Sequence, residues 1–167
     1  MSFTLLHHTP GQEARARARV IVAAEGWLRT PHEHGACVPG AGVDCGRLLI
    51  AVFAGVGLIE EFDPGPYAYD YHLHRNEERY LPMVERFAAQ VERAPLPGDL
   101  ALFRFGRVIS HGAIITAWPA IIHAHVRQGV VRDAVDTNVD LREHFAGIWS
   151  LWPTRAEAAQ LEAVPCG

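Results

Sequence analysis

The hydrophobic and polar positions of this chain follow two different repeats, one in each half. In the first half, apolar residues recur every three or four positions, which is the period of helices that bury one face. Beyond residues 95–99 they form short runs bounded by glycine and other turn residues, which is typical of strands and hairpins. Helices followed by an antiparallel meander predict an α+β arrangement of layers.

Three helices are predicted in the first half. Residues 12–29 read as an amphipathic helix that ends before Pro31, because a residue preceding proline is pushed out of the helical region. The second helix follows Asp44, whose short carboxylate is a good N-cap. The third spans residues 75–91, where Pro82 predicts a kink or a late start. The apolar stripe of the second helix consists of Leu48, Leu49, Val52, Phe53 and Val56.

The second half predicts a series of strands separated by tight turns. A hairpin is indicated around Gly106, and a second turn is indicated at residues 127–129. A short helix interrupts the series, and another helix is expected at the C-terminal end. The predicted strands are residues 100–105, 108–116, 120–126, 130–135 and 147–152, and the two helices are residues 139–145 and 154–163.

Composition favours one soluble globular domain over residues 1–167, because 49% of the residues are apolar and 20% are charged. A net charge of −4 without any basic run argues against a nucleic-acid partner. No apolar run approaches the roughly 20 residues that cross a bilayer, and the first residues lack the pattern of a signal peptide. We therefore expect synthesis in the cytoplasm and no membrane span.

Cys45 is the candidate nucleophile. It directly follows the predicted cap Asp44, so it lies in the first helical turn, where the helix dipole favours a thiolate and lowers the pKa of a cysteine. The alternative is a small core residue, since free cysteine is often buried. The chain has three cysteines, an odd number that does not suggest a disulfide framework. A bridge between Cys37 and Cys45 is disfavoured in a reducing compartment.

A catalytic thiol needs a base and a group that orients the base, and the chain offers ten histidines. His111 lies in the predicted strand 108–116, where alternation places it on one face with Ile109, Ala113 and Ile115. His123 lies in the next strand, and antiparallel neighbours can bring the two imidazoles together. A Cys-His-His triad follows, in which His125 is the rival of His123 as the orienting residue.

Three His-x-His pairs leave a metal hydrolase as an alternative. Two histidines with this spacing can bind one metal ion when their side chains share a strand face. The HExxH and Cys-x-x-Cys spacings of common zinc sites are missing, so we expect no metal. The pairs are His32 with His34, His72 with His74, and His123 with His125.

Four segments follow one another along the chain: residues 27–31 with 42–45, residues 97–103, residues 110–114 and residues 121–124. In this order they resemble the NlpC family of cell-wall cysteine peptidases in its phage-tail branch. The approach to the nucleophile helix, a glycine-aspartate strand start, the strand of the base and the strand of the third polar residue all have counterparts. Together they span roughly residues 27–124. Within that branch, the segments resemble a peptidase encoded with the tail genes of phages and phage-like gene transfer agents.

This resemblance implies a papain-like fold with N-terminal helices and with the nucleophile helix packed on an antiparallel sheet. It implies that Cys45 is the nucleophile, His111 the general base and His123 the orienting residue, with the Cys45 amide donating to the oxyanion and with no cofactor. The implied substrate is the peptide stem of bacterial peptidoglycan. The implied setting is the tail of a phage or phage-like particle that opens the target cell wall for DNA delivery.

Two departures from the family pattern concern the surroundings of the thiol. Gly46 and Arg47 stand where many relatives have serine or tryptophan followed by glycine, and His32 replaces a tyrosine that shapes the site. With Asp44, these residues are the candidates for binding substrate or shaping the site. The departures also favour an alternative, a structural tail-tip module that docks on a tail hub with weak or no catalysis.

Overall fold

In the computed structural model, which describes residues 8–65 and 79–154, helices precede an antiparallel sheet, and the predicted α+β class is confirmed. The helices are α1 (Pro10–Glu25), α2 (Cys45–Gly55), α3 (Tyr80–Val84) and α4 (Val139–His144). The strands are β1 (Cys37–Val38), β2 (Gly42–Val43), β3 (Ala89–Val91), β4 (Leu100–Phe105), β5 (Val108–Ala117), β6 (Ala120–His125), β7 (Gly129–Ala134) and β8 (Phe145–Ser150).

The larger sheet has the strand order β3-β8-β4-β5-β6-β7, and its pairs are antiparallel. Strands β4 to β7 form the predicted meander. Strand β8 leaves chain order and lies between β3 and β4, while β1 and β2 form a separate ribbon before α2. No helix among the described residues is long and apolar enough to cross a bilayer.

The two faces of the larger sheet carry separate apolar clusters. The first packs against α1, α2 and α3, and it contains the whole predicted stripe of α2, from Leu48 to Val56. Leu48, Leu49, Val52 and Phe53 are fully buried there. The second cluster lies on the other face, and Leu141 of α4 covers part of it. Strand alternation therefore sends apolar side chains to both faces, as expected when both sides of a sheet are covered.

Helix α1 begins earlier and ends earlier than its apolar pattern predicts. Thr9 caps it in a capping box with Gln12, and Pro10 occupies the first turn, where its missing N–H costs nothing. The helix ends at Glu25, and Gly26 caps it. Residues 27 and 28 pack on the first cluster from a turn, so their apolar character does not require a longer helix.

The predicted helix over residues 75–91 is wrong in its second half. Helix α3 covers only Tyr80–Val84, with Pro82 in the first turn, where helices tolerate proline. Residues 89–91 form β3, which pairs with β8. That partner lies about 60 residues further along the chain, beyond the reach of a local pattern. The earlier part of this prediction falls within residues 66–78, and the predicted helix 154–163 falls after Thr154, both outside the described residues.

Asp99 joins α1, the start of β4 and the end of β8. Its buried carboxylate accepts hydrogen bonds from Arg17 (2.8 Å) and Arg93 (2.6 Å), and Arg93 also donates to Ser150 (3.0 Å). Burial opposes the charge of Asp99, but the bonds from Arg93 and Arg17 outweigh it and hold the pKa below its ordinary value. The glycine-aspartate strand start therefore anchors the fold.

Candidate active site

Asp44 is the N-cap of α2, as predicted. One oxygen, Oδ1, accepts the backbone N–H of Arg47 at 2.9 Å, and the other, Oδ2, accepts the N–H of Gly35 at 2.9 Å. The carboxylate is almost fully buried. It therefore joins the glycine-rich loop to the helix and places Cys45 in the first turn.

Cys45 touches the sheet at the residue that precedes His111. Its Sγ lies 3.8 Å from the carbonyl oxygen of Ser110, and the hydroxyl of Tyr80 donates to the carbonyl of Cys45 at 3.3 Å. The thiol is partly buried. The start of α2, the strand β5 and the helix α3 therefore meet at the candidate nucleophile.

Gly112 makes this approach possible. A Cβ atom built there would lie 2.7 Å from the Tyr80 hydroxyl, 2.9 Å from Cδ2 of Leu102 and 3.0 Å from Cδ1 of Leu49. The first two distances are shorter than Cβ contacts normally are, so a larger residue here would force the ends of the Tyr80 and Leu102 side chains to shift. The glycine that follows His111 in the sequence thus serves the packing of α2 and α3 on β5.

The predicted lowering of the Cys45 pKa is wrong. Burial, reinforced by the adjacent carboxylate of Asp44, raises the pKa of this thiol to about 12. The hydroxyl of Tyr80 and the backbone amides of Gly46 and Cys45 act in the other direction and are outweighed. In the free protein the thiol is therefore protonated at neutral pH.

His111 and His123 are hydrogen-bonded to each other. Nε2 of His111 lies 2.8 Å from Nδ1 of His123, and the two rings meet edge to face. His125 instead uses its Nδ1 to accept the backbone N–H of Arg127 at 3.1 Å. The structure thus brings together His111 and His123, the pair chosen from the sequence; their catalytic roles stay predictions.

The face predicted for His111 is partly wrong. Phe103 pairs with His111 but Arg104 pairs with Ile109, so Ser110 is an extra residue that forms a bulge. The bulge breaks the alternation, and Ile109 joins the cluster under the helices while Ala113 and Ile115 lie in the opposite cluster. The ring of His111 packs near Phe103, 5.8 Å between ring centres.

Both imidazoles are held neutral. Burial lowers the pKa of His111 well below its ordinary value, and the neighbouring His123, His125 and His32 add to the effect. Burial also lowers the pKa of His123 to about 4, against the opposing influence of Asp133. A protonated thiol therefore lies next to β5, which carries the neutral His111, while the neutral His123 lies on the adjacent strand β6. Proton transfer has to accompany any attack by sulfur.

The residues chosen as site-shaping lie around the start of α2. His32 bridges to Val43, and it is close enough to Asp44 and His125 for each to affect its pKa, which burial lowers. Gly46 is buried in the first turn. The guanidinium of Arg47 lies 3.0 Å from Asp63.

Arg47 borders a cavity on the outer side of α2. Its Nε also lies 3.7 Å from the carboxylate of Asp44, so acidic neighbours hold the guanidinium on two sides. The cavity has a volume of about 330 Å³ and is lined by Cys37, Arg47, Ile50, Ala51, Glu61, Phe62 and Asp63.

Two residues near the site, Asp133 and Tyr80, were not predicted from the sequence. Oδ2 of Asp133 lies 3.4 Å from Nε2 of His123. Pairing the two predicted strands on either side of the turn 127–129 would have indicated that these residues are neighbours. Tyr80 reaches Cys45 from a segment 35 residues away, and no local pattern signals that contact.

The described residues contain no group of three or more histidine, cysteine, aspartate or glutamate side chains that could hold a metal ion. Two of the His-x-His pairs, His32 with His34 and His123 with His125, fall within these residues. The third pair, His72 with His74, lies outside them.

Several solved structures share this architecture, and two of them are described as peptidoglycan hydrolases. The NlpC/p60 domain of the peptidoglycan hydrolase SagA matches 80% of this chain over 97% of its own length, with 19% identity and a TM-score of 0.53. The peptidoglycan hydrolase RipB of Mycobacterium tuberculosis matches over 68% of its length (86% of this chain, 18% identity, TM-score 0.52). An NlpC/p60 family protein of Bacillus cereus matches over 40% of its length (82% of this chain, 19% identity, TM-score 0.60). No family model and no curated protein matches the sequence. The chain therefore has the NlpC/p60 variant of the papain-like fold.

Proposed function

We propose that this chain is a cysteine hydrolase that cleaves amide bonds in the peptide stems of bacterial peptidoglycan. The observation that carries the proposal is the meeting of Cys45, at the start of α2, with the strand on which His111 is hydrogen-bonded to His123. The likeness to SagA and RipB, both described as peptidoglycan hydrolases, supports the substrate.

In this reaction the neutral imidazole of His111 accepts the proton of the Cys45 thiol as sulfur attacks the amide carbonyl. The carbonyl oxygen becomes an oxyanion, to which the backbone N–H of Cys45 donates. When the C–N bond breaks, His111 returns the proton to the leaving amine, and a thioester remains on Cys45. Water, deprotonated by His111, then attacks the thioester, which releases the carboxylic acid and restores the thiol.

The neutral state of the free protein fits a reaction started by substrate. Since burial and Asp44 keep the thiol protonated, the thiolate forms only as the base accepts its proton. His123 holds His111 through the 2.8 Å contact between their ring nitrogens, so the imidazole keeps one orientation while it gains and loses the proton.

Cys45→Ala tests the proposal. The variant should lose cleavage of purified peptidoglycan and of soluble stem-peptide fragments, because no other group supplies the nucleophile. Chromatography with mass spectrometry would follow the released fragments. Cys37→Ala is the matched control, since it removes an exposed thiol from the neighbouring ribbon and should keep full activity. Cleavage by the Cys45→Ala protein at the wild-type rate would refute the mechanism.

A second candidate, a tail-tip module with weak or no catalysis, is favoured by one observation: the raised pKa of Cys45. It predicts that the wild-type protein cleaves none of these substrates and that His111→Ala leaves the reaction of Cys45 with iodoacetamide unchanged. A thiolate formed with the help of His111 would instead make Cys45 react more slowly in the His111→Ala protein.

The setting we propose is the tail of a phage or phage-like particle, where the chain, made in the bacterial cytoplasm, contacts tail-hub or tail-tip proteins and acts on the target cell wall. The support is the resemblance of four sequence segments to the phage-tail branch of the family. Mass spectrometry of purified particles from the producing cells tests it. Recovery of the chain only in the soluble fraction of lysed producers would contradict it.

A further inference from the structure

Asp133 lies on strand β7, next to His123 of the neighbouring strand β6. His123 pairs with Val131 across β6 and β7, so Asp133, two residues further, lies on the same face of the sheet. Its Oδ2 is 3.4 Å from Nε2 of His123. That nitrogen is buried and makes no hydrogen bond with the described residues at this distance, so the carboxylate of Asp133 is the acceptor that faces it.

The carboxylate is held from its other side by the start of α4. Asn138 donates its side-chain N–H to Oδ2 at 2.7 Å, and the backbone N–H of Ala134 donates to Oδ1 at 2.7 Å. Asn138 is itself the N-cap of α4, where it accepts the N–H of Leu141 at 3.3 Å. The position of Asp133 is therefore set by a helix cap, and the carboxylate cannot easily turn away from His123.

A neutral imidazole has one N–H and one bare nitrogen, and what faces each nitrogen decides which is which. A carboxylate only accepts hydrogen bonds, so His123 meets Asp133 favourably only with its proton on Nε2. Its Nδ1 is then bare and accepts a hydrogen bond from Nε2 of His111. His111 in turn carries its proton on Nε2, which leaves its Nδ1 bare.

We propose that Asp133 is a positioning residue that fixes the tautomer of His123 and, through it, the tautomer of His111. A bare Nδ1 on His111 is the form that accepts a proton from a thiol. The reverse order, with protons on both Nδ1 atoms, keeps the contact between the two rings but leaves His111 unable to act as a base through that atom. The consequence for catalysis rests on the proposed function; the tautomers do not.

Nitrogen-15 NMR of histidine-labelled protein tests the tautomers directly, with resonances assigned through His111→Gln and His123→Gln. In the wild type, both imidazoles should carry their proton on Nε2. Asp133→Asn removes the negative charge that favours a proton on Nε2 of His123, so both protons should shift towards Nδ1. Asp136→Asn, an exposed carboxyl in the turn before α4, is the matched control and should leave both tautomers as in the wild type.

The kinetic readout is the split between kcat and KM. Asp133→Asn should lower kcat on the order of a hundredfold or more, since a wrong tautomer behind a catalytic histidine has large effects in other triads, and KM should change little. Asp136→Asn should keep the wild-type kcat. Substitution of Asp136 leaves the hydrogen bonds of Asp133 with Asn138 and Ala134 in place.

The outcomes separate this inference from the proposed function. Nε2 protons in the wild type that move in Asp133→Asn support the inference, even if no substrate is cleaved and the hydrolase proposal fails. A proton on Nδ1 of His123 in the wild type overturns the inference, and this measurement needs no variant to fold. An unchanged kcat in an active Asp133→Asn enzyme overturns it as well.

Discussion

Asp44 has two opposite effects on the residue that follows it. Its carboxylate caps α2 and fixes the first turn, which presents Cys45 to the sheet. The same negative charge, added to burial, raises the pKa of the Cys45 thiol. A helix N-terminus by itself favours a thiolate. At the scale of the residue, a carboxylate cap and the loss of water reverse that preference.

Asp44→Asn, made in a Cys37→Ala background, should make Cys45 more reactive. Asparagine is an equally good N-cap, so its amide oxygen can keep the bond from the N–H of Arg47 while the charge and the bond from the N–H of Gly35 are removed. The pKa of the thiol should fall, and each unit gives about tenfold more thiolate at a fixed pH. The rate of iodoacetamide labelling at pH 8 measures it. Asp140→Asn, an exposed carboxyl of α4, is the control. An unchanged or slower rate in Asp44→Asn would contradict the effect of the charge.

At the scale of elements, the site depends on the close packing of α2 and α3 against β5. The contact between Tyr80 and the carbonyl of Cys45 exists because Gly112 leaves room for the tyrosine. The bulge at Ser110 lies two residues before this glycine, and it changes which side chains of β5 face the helices. A single strand therefore carries His111, the bulge beside the thiol and the space for α3.

Gly112→Ala should destabilise the protein by about 1–3 kcal/mol, because the new methyl group forces Tyr80 or Leu49 out of place in a packed core. Urea unfolding followed by circular dichroism measures the change. Gly55→Ala is the matched control, since nothing lies within 4 Å of a Cβ built at that helix end. It should leave stability unchanged or slightly increased. Equal stabilities for the two variants would show that the space at Gly112 is not needed.

At the scale of the whole molecule, the buried histidines link folding to pH. His111 and His123 have pKa values below the ordinary 6.5 when folded, so the unfolded chain binds more protons once the pH falls below 6.5. Folding stability therefore decreases as the pH falls from about 6.5 towards 4. Asp99 has a lowered pKa too, but the stability it contributes is lost only below its unfolded value of 3.8.

Urea unfolding at pH 7.5, 6.5, 5.5 and 4.5 should show this decrease, and His123 should account for up to about 3 kcal/mol of it. His123→Gln should therefore have a smaller slope of unfolding free energy against pH than the wild type. His34→Gln, in which an exposed imidazole is removed, should keep the wild-type slope. A wild-type stability that is flat between pH 6.5 and 4.5 would contradict the buried neutral state of the two imidazoles.

The sequence by itself determined the features that depend on residues close together in the chain. The cap at Asp44 and the buried stripe of α2 were predicted correctly, because a helix repeats every 3.6 residues and its first turn needs an acceptor. The meander β4 to β7 and the meeting of His111 with His123 were also predictable. Short turns join these strands, so their register depends on few residues.

Only the tertiary structure determined the features that depend on contacts between segments far apart in the chain. β3 and β8 find each other across more than 50 residues, and the bulge at Ser110 changes the face that Ile109 occupies. The pKa of Cys45 depends on burial in the folded protein and on the hydroxyl of Tyr80 as well as on its own helix start. Asp133 reaches His123 because β7 and the cap of α4 place it there. Strand pairing, burial and electrostatic interactions depend on residues that are close in space. The hydrophobic repeat of the sequence indicates only contacts within a helical turn or a hairpin.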